Sequence, residues 1–225
     1  MKYKYETHMH TSQGSACGNS TGAEMARAYK EAGYTGIFVT DHFFNGNCAV
    51  DRSLPWEEKV ELFCKGYEDA KEEGDKIGLD VFFGFEYCYE GADFLVYNLD
   101  KEWLLAHPDI DKWDPRKAFS TMREDGGIII HAHPFRERDY INHIHLFPRD
   151  VDGVEIVNGG HFPDETMNER ARLYAGMYEL PVTSGSDAHF AGHVPGCGVA
   201  SDVRMKKITE YLELMKAGRL ELLPV

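Results

Sequence analysis

The chain has 225 residues, of which 43% are hydrophobic and 28% charged, a composition typical of a soluble globular protein. Its formal net charge of −14 disfavours binding to the phosphate backbone of nucleic acids. Its five scattered cysteines form no CxxC pair, which argues against a disulfide framework and a zinc ribbon. Because no apolar run could cross a membrane or act as a signal core, we expect one cytoplasmic domain over residues 1–225 without membrane contact.

Short apolar runs alternate with helical patterns along the whole chain. A strand from Tyr3 to His10 precedes the helix STGAEMARAYKEAGY, whose N-cap is Ser20 or Thr21. The elements predicted next are the strand TGIFVTDH, a helix from about Pro55 to Lys76, the strands LDVFFGFE and ADFLVYNL, and the helix DPRKAFSTMREDG. The strands GIIIHAH and DGVEIVN, the helix PDETMNERARLYAGMYE, the strand and loop LPVTSGSDAH and the helix RMKKITEYLELMKAG, capped by Gly218, complete the chain.

This alternation predicts an α/β fold with a mostly parallel sheet or barrel. In such folds the functional groups lie where strands end and loops begin. Nine polar residues stand at or just after the carboxyl ends of predicted strands: His8, His10, Asp41, His42, Glu86, His131, His133, Asp187 and His189. We therefore expect these residues to converge on one rim of the sheet.

Histidine nitrogens and carboxylate oxygens together are ligands for divalent zinc, manganese or iron. Carboxylates can bridge two such ions, and a two-ion site suits phosphoester hydrolysis by a metal-bound hydroxide. The sequence has neither a GxSxG elbow nor a GxxxxGK[ST] phosphate loop. These absences disfavour a serine hydrolase and nucleoside triphosphate chemistry.

Five motifs carry a family resemblance: HMHTS, TDH, GFE, HAHPFR and GSDAH, in this order. In this order they resemble the motifs of the polymerase and histidinol phosphatase (PHP) family. The resemblance implies a distorted (β/α)7 TIM-like barrel with two or three divalent metal ions at the carboxyl-terminal rim. It also implies hydrolysis of phosphoesters, whose substrates in this family include histidinol phosphate, small nucleotides and nucleic-acid ends.

The resemblance also implies a ligand set. One metal would be held by His8, His10, Glu86 and Asp187, a second by Glu86 and His133, and a third by His42 and His189. The chain departs from the family pattern in two places. The segment SQGSACGN offers only Ser15, Cys17 or Asn19 to complete the third site, which is absent, weak or bound through the Cys17 thiolate. Where relatives have a further histidine, this chain has Asp93, so either Asp93 or His131 takes that place.

The sequence leaves two interpretations open for His131 and two for Arg136. His131 is either a metal ligand or a buried support for His133, with which it shares a face if the strand is regular. Arg136 either grips a substrate phosphate or forms a surface salt bridge with Glu137 or Asp139.

His161 is either a ligand or a residue that orders its loop, and Asp41 is interpreted as structural. We expect His107, His143, His145 and His193 to be structural or surface residues. The loop from Phe43 to Leu54 is the predicted specificity element.

The predicted function is metal-dependent hydrolysis of a small phosphorylated substrate, with His189 or His42 assisting proton transfer. An amidohydrolase-type C–N hydrolase is a second interpretation, but no lysine for carboxylation stands at a predicted strand end. A third is a non-catalytic module that binds metal, which the segment SQGSACGN keeps open.

Overall fold

The computed structural model describes residues 2–224, so Met1 and Val225 of the predicted domain lie outside the described residues. The strands are β1 (Tyr3–Met9), β2 (Gly36–Val39), β3 (Asp80–Tyr89), β4 (Ala92–Tyr97), β5 (Ile128–Ala132), β6 (Gly153–Asn158), β7 (Val182–Gly185), β8 (Gly198–Ser201) and β9 (Glu221–Leu223). The helices are α1 (Gly22–Glu31), α2 (Trp56–Phe63), α3 (Lys65–Ile77), α4 (Lys101–Ala106), α5 (Pro115–Glu124), α6 (Thr166–Met177) and α7 (Ile208–Lys216). Within the described residues, no helix is both long enough and apolar enough to cross a membrane.

All nine strands belong to one sheet in the order β7-β6-β5-β4-β3-β2-β1-β8-β9. Strands β1 to β3 are parallel to one another, as are β5 to β7, whereas β4 runs antiparallel to both of its neighbours. The two parallel groups meet where β1 ends: the Asp187 amide donates to the His8 carbonyl at 2.8 Å, and the His10 amide donates to the Ala188 carbonyl at 2.9 Å. The sheet is therefore a nearly closed barrel, as the predicted distorted TIM-like fold requires.

The elements differ from the prediction in two respects, and the segment for which no element was predicted has none. The single helix expected from Pro55 to Lys76 is two helices, interrupted at Cys64. Strands β8 and β9 and helix α4 were not predicted, because segments of three to six residues carry too little hydrophobic periodicity. The segment between β5 and β6 has no helix or strand.

An aromatic core fills the barrel below the carboxyl ends of the strands. Tyr5, Phe38 and Tyr97 are buried in one cluster with Tyr211 of α7. The Tyr211 hydroxyl donates to Thr183 Oγ1 at 2.7 Å, so helix α7 is fixed to β7 as well as packed on the cluster. The aromatic cluster thus fills the apolar part of the barrel interior, and the polar side chains lie at the carboxyl-terminal rim.

Two glycines let α1 and α3 pack closely beside the loop that follows β1. A Cβ atom on Gly22 would overlap the Gly66 carbonyl oxygen, and one on Gly66 would overlap Thr11 Oγ1 and lie 2.8 Å from Asp41 Oδ2. Thr11 in turn donates its amide and hydroxyl to the Asp41 carboxylate, each at 2.6 Å. Helix packing therefore holds the loop that leads from His10 into the rim.

The substitution Gly66→Ala is expected to destabilise the protein by about 1–3 kcal/mol, because the added methyl displaces Thr11 in a packed contact. The matched control is Gly176→Ala in α6, where a Cβ atom would meet nothing within 4 Å. That control should stabilise by about 0.5–1 kcal/mol through the lower backbone entropy of alanine. Urea unfolding of both variants measures the difference. Equal effects of the two substitutions would contradict the close-packing argument.

Candidate metal centre

The Glu86 carboxylate lies at the centre of the rim, fully buried on β3. Its Oε1 atom is 3.3 Å from His8 Nε2 and 3.2 Å from His133 Nε2. Its Oε2 atom faces His42 Nδ1 and is 3.7 Å from His10 Nε2. Burial alone would raise the pKa of Glu86, but His42, His133 and His8 hold it well below its usual range. Glu86 is thus an anionic carboxylate with one oxygen toward each of two histidine pairs.

Asp187 adds a second carboxylate on the far side of the strand-end histidines. Its Oδ1 atom is 3.1 Å from His10 Nε2 and 3.5 Å from His8 Nε2, and these two nitrogens are 3.3 Å apart. Asp187 has φ +56°, in the left-handed region that is costly for a residue with a Cβ atom. The structure therefore brings together His8, His10, Glu86 and Asp187, and Asp187 tolerates backbone strain to reach them.

His10, His42 and His189 form a second group at the rim. The His10 ring stacks on His189 at a centroid distance of 4.2 Å and lies 4.3 Å from the His42 ring. Each of the three offers a nitrogen within 4.8 Å of the others. His189 Nδ1 donates to the Asp187 carbonyl at 2.7 Å, so Nε2 is the nitrogen left with a lone pair in the neutral ring.

Asp93 and Arg136 lie beside His133. Asp93 Oδ2 is 4.0 Å from His133 Nε2 and 3.9 Å from an Arg136 guanidinium nitrogen. Arg136 reaches this point through a turn in which its amide donates to the His133 carbonyl at 2.9 Å. Glu137, one of the two surface partners considered for Arg136, pairs with Arg170 instead. Asp93 thus lies beside His133 at the edge of the cluster, and its role as a ligand stays a prediction.

His131 lies outside the cluster, so its interpretation as a ligand is not supported. Its ring stacks on Phe94 at 4.7 Å and meets Tyr174 edge-on at 5.9 Å. Burial, together with the charge of His133, lowers the pKa of His131 to about 3. The expected shared face of His131 and His133 fails because β5 ends at Ala132 and His133 has φ +25°, which breaks the strand alternation.

Glu155 of β6 is a buried carboxylate that the sequence analysis missed. Its Oε1 atom accepts from His8 Nδ1 at 2.9 Å, and its Oε2 atom accepts from the His133 amide at 3.1 Å and from Asn158 Nδ2 at 2.8 Å. The proton on Nδ1 leaves the His8 Nε2 lone pair directed at Glu86 and Asp187. The only sequence signal was a charged residue inside the apolar run GVEIV.

Ser15 and Asp41 orient His10 in the same way. The Ser15 hydroxyl donates to Asp41 Oδ1 at 2.7 Å, and therefore accepts from His10 Nδ1 at 3.0 Å. The His42 amide also donates to the Ser15 oxygen, at 2.9 Å. Ser15 is consequently engaged with protein groups and does not serve the third site, whereas Asp41 has the structural position expected of it.

The donors fit a divalent metal. Glu86 Oε2 is buried and, among residues 2–224, accepts no hydrogen bond of normal geometry, although His10 and His42 stand next to it. An anionic oxygen without a partner in the protein interior is costly, and a cation between these groups would satisfy it. Imidazole nitrogens with carboxylate oxygens match zinc, manganese and iron alike.

His161 packs next to this centre and has one of the two roles considered for it, that of ordering its loop. Its Nδ1 atom is 3.1 Å from Asn168 Oδ1, the loop-ordering hydrogen bond considered above. The Nε2 atom is buried without a partner, and the ring lies 6.2 Å from that of His133. His161 is not among the grouped ligand atoms of residues 2–224.

A cavity of about 1120 Å³ opens onto the rim. Its lining includes His42, Asp93, Arg136 and His189, together with Asn45, Gly46 and Asn47 of the predicted specificity loop. His143 and His145, which were expected to be structural or surface residues, also line it. No lysine is among the residues that line the cavity within the described chain.

The substitution Glu155→Gln is expected to lower metal affinity by roughly 10–100-fold, because an amide holds the His8 ring less strongly than a carboxylate does. Titration of metal-free protein with Mn²⁺, followed by calorimetry, measures this loss. The exposed Glu169→Gln serves as the control and should bind as the unmodified protein does. Unchanged affinity in Glu155→Gln would remove Glu155 from the site.

Comparisons with known proteins found two partial sequence matches. A family model described as PHP-associated matches residues 165–217. A phosphoribosyl 1,2-cyclic phosphate 1,2-diphosphodiesterase from Eggerthella lenta is 35% identical over 107 residues, which are 46% of this chain and 39% of that protein. The chain therefore spans well under half the length of this relative.

Two solved structures share the fold. One is a two-domain protein from Bacteroides vulgatus that contains a predicted PHP-like metal-dependent phosphoesterase, with a TM-score of 0.71 and 15% identity over 99% of this chain and 64% of that one. The other is the lesion-specific endonuclease EndoQ from Pyrococcus furiosus, with a TM-score of 0.59 and 14% identity over 99% of this chain and 58% of that one. The chain is thus similar in sequence to PHP-associated proteins over residues 165–217, and it shares its fold with PHP-like phosphoesterases over 99% of its length.

Proposed function

We propose that the chain hydrolyses a phosphoester of a small molecule with divalent metal ions. The observation that carries the proposal is the Glu86 carboxylate, whose two oxygens face two separate histidine pairs, one of which includes His42 at the cavity wall. A shared carboxylate between two ion positions is the arrangement of two-metal phosphoesterases. Bound ions would supply a hydroxide at neutral pH and offset the charge of the phosphoryl group.

The protein groups bind, orient and move protons around those ions. His8, His10, Glu86, Asp187 and His133 would hold the metals, and Asp93 stands within reach of His133. Arg136 would bind the phosphate, since its guanidinium lines the cavity and can donate two parallel hydrogen bonds.

In this proposal, the histidines on the solvent-facing side of the rim transfer the proton. The His189 side chain is 26% exposed, and that of His42 is 10% exposed. Of the rim histidines these two stand nearest the solvent, where a leaving oxygen needs a proton.

The cavity favours a small substrate. Its volume of about 1120 Å³ is close to the upper end of the range for small-molecule sites, and the net charge of −14 opposes a nucleic-acid backbone. The Eggerthella lenta relative carries the name of a cyclic phosphodiesterase, which makes a cyclic phosphodiester the second substrate class to test. The absence of a lysine from the cavity lining within residues 2–224 disfavours an amidohydrolase-type reaction.

Chelation should abolish hydrolysis of phosphomonoesters and cyclic phosphodiesters, and added Mn²⁺ should restore it. The double variant His8→Ala and His10→Ala should lose turnover as well, because it removes two nitrogens within reach of both Glu86 and Asp187. A substrate panel with phosphate release measures both effects. His193→Ala, at an exposed position, is the control. Activity that survives chelation or the double substitution would contradict the metal mechanism.

Arg136→Gln should reduce kcat/KM by about 10–100-fold, the worth of a hydrogen bond to a charged group. It should also weaken inhibition by inorganic phosphate, because the lost contact is made to the phosphate itself. Arg138→Gln, an exposed neighbour, should change neither value. If Arg136→Gln leaves phosphate inhibition intact, the arginine does not bind that group.

A further inference from the structure

A two-residue turn joins β3 to β4 at the wall of the cavity, and its first residue is Glu90. Tyr89 pairs with Ala92 across the hairpin, so Glu90 and Gly91 form the turn between them. Their φ angles are +49° and +88°, and a type I′ turn requires positive φ at both positions. Such turns favour asparagine, aspartate and glycine, whereas positive φ is costly for glutamate. The hairpin therefore keeps an unfavourable residue at a position that lines the cavity.

The turn holds Glu90 against the segment that follows β5. The His145 Nε2 atom is 3.3 Å from Glu90 Oε2, and the His145 ring meets Tyr89 edge-on at a centroid distance of 5.5 Å. Gly91 allows close packing here, because a Cβ atom on it would lie 3.0 Å from Ile141 Cγ1. The Glu90 side chain nevertheless remains 64% exposed. Since the pair with His145 uses one carboxylate oxygen, the other is available to a ligand in the cavity.

The fixed positive charge of the cavity stands beside the metal ligands, not at this turn. Among the described residues that line the cavity, Arg136 alone is a lysine or arginine, and its guanidinium is 3.9 Å from Asp93. The proposed function assigns this arginine to the substrate phosphate. Asn142, which follows Ile141 at the turn, adds an uncharged amide to the lining. A second anionic group on the substrate would thus have a carboxylate near it and no second guanidinium to bind it.

We propose that Glu90 selects the leaving group of the substrate, by accepting hydrogen bonds from the hydroxyl groups of an uncharged leaving group and by repelling one that carries a second anion. This inference rests on the proposed function, because it concerns the other end of the substrate of that same site. Hydrogen bonds from a hydroxyl to a carboxylate are among the strong ones. A second anion in this place would lose them and add like-charge repulsion.

Two imidazoles near the turn define the competing result. His143 and His145 both line the cavity, with ring centroids 6.1 Å apart, and imidazolium groups there would attract a second anion. His145, however, directs its Nε2 atom at Glu90. This pair favours an uncharged leaving group, and a preference for a doubly anionic substrate would contradict it.

The test compares two phosphomonoesters with six-carbon leaving groups. They are glucose 6-phosphate, which has hydroxyl groups only, and 6-phosphogluconate, which adds a carboxylate. Protein loaded with Mn²⁺ should prefer glucose 6-phosphate in kcat/KM by about tenfold or more. Glu90→Gln keeps the size of the side chain but removes its charge, and should reduce this preference by about tenfold. Glu169→Gln, exposed on α6 and outside the cavity lining, is the control and should retain the preference.

A second variant, Glu90→Asn, separates recognition from the geometry of the turn. Asparagine suits positive φ, and the exposed pair with His145 contributes little to stability, so the Tm of this variant should rise. The preference for glucose 6-phosphate should nevertheless fall as it does in Glu90→Gln. A purely structural role for Glu90 predicts instead that both variants keep the preference.

Three results would overturn the inference and leave the proposed function in place. They are equal kcat/KM values for the two probes in the unmodified protein, a preference for 6-phosphogluconate, and an unchanged preference in Glu90→Gln. If neither probe is hydrolysed, their calorimetric affinities decide instead. A difference in affinity that Glu90→Gln removes would support selection by Glu90, and equal affinities would overturn it. Failure to hydrolyse any phosphoester of the substrate panel would remove the proposed function separately.

Discussion

The buried charge of Glu86 is the constraint on which the rest of the rim depends. A carboxylate without solvent exposure is costly unless cations or hydrogen-bond donors compensate it, and within the described part of the chain the Oε2 atom of Glu86 accepts no hydrogen bond of normal geometry. The surrounding imidazoles supply the compensation only when they carry protons or hold cations. Burial lowers the pKa of His8, but Glu155, Asp187 and Glu86 together raise it well above its usual value. A divalent ion replaces those protons, so metal binding and folding of this rim are linked.

The same hydrogen bonds that close the barrel also set the distances between the ligands. The Asp187 amide donates to the His8 carbonyl, and the His10 amide donates to the Ala188 carbonyl, so β1 and the segment after β7 share one register. This contact places the carboxylate of Asp187 between two imidazoles that are far from it in sequence. Glu155 and Ser15 then fix the ring nitrogens that face inward. The backbone hydrogen bonds that close the barrel and the buried polar side chains therefore act together to orient the ligands.

Sequence reasoning succeeded where one geometric rule was sufficient. The carboxyl ends of parallel strands meet at one rim, so His8, Glu86 and Asp187 could be grouped before their distances were known. It did not predict the position of His131 correctly, because the alternation of side chains along the strand ends at His133, whose φ is +25°. Glu155 was hidden, since its partner His8 lies 147 positions away and its own strand resembles an ordinary apolar core. His143 and His145 lie in a segment without periodicity, where sequence gives no direction for a side chain.

The two departures from the family pattern fall on opposite sides of Glu86 and differ in chemistry. Asp93 brings a hard oxygen to within 4.0 Å of His133 Nε2, whereas Cys17 lines the cavity together with His42 and His189. Raw affinity for divalent ions follows much the same order at any site, so selection between ions depends on ligand type and geometry. On the proposed function, Glu86 would join two ion positions, and the side chains around each position would decide which ion it prefers. A change in metal preference would then follow from substitutions at the rim rather than from a change in the barrel.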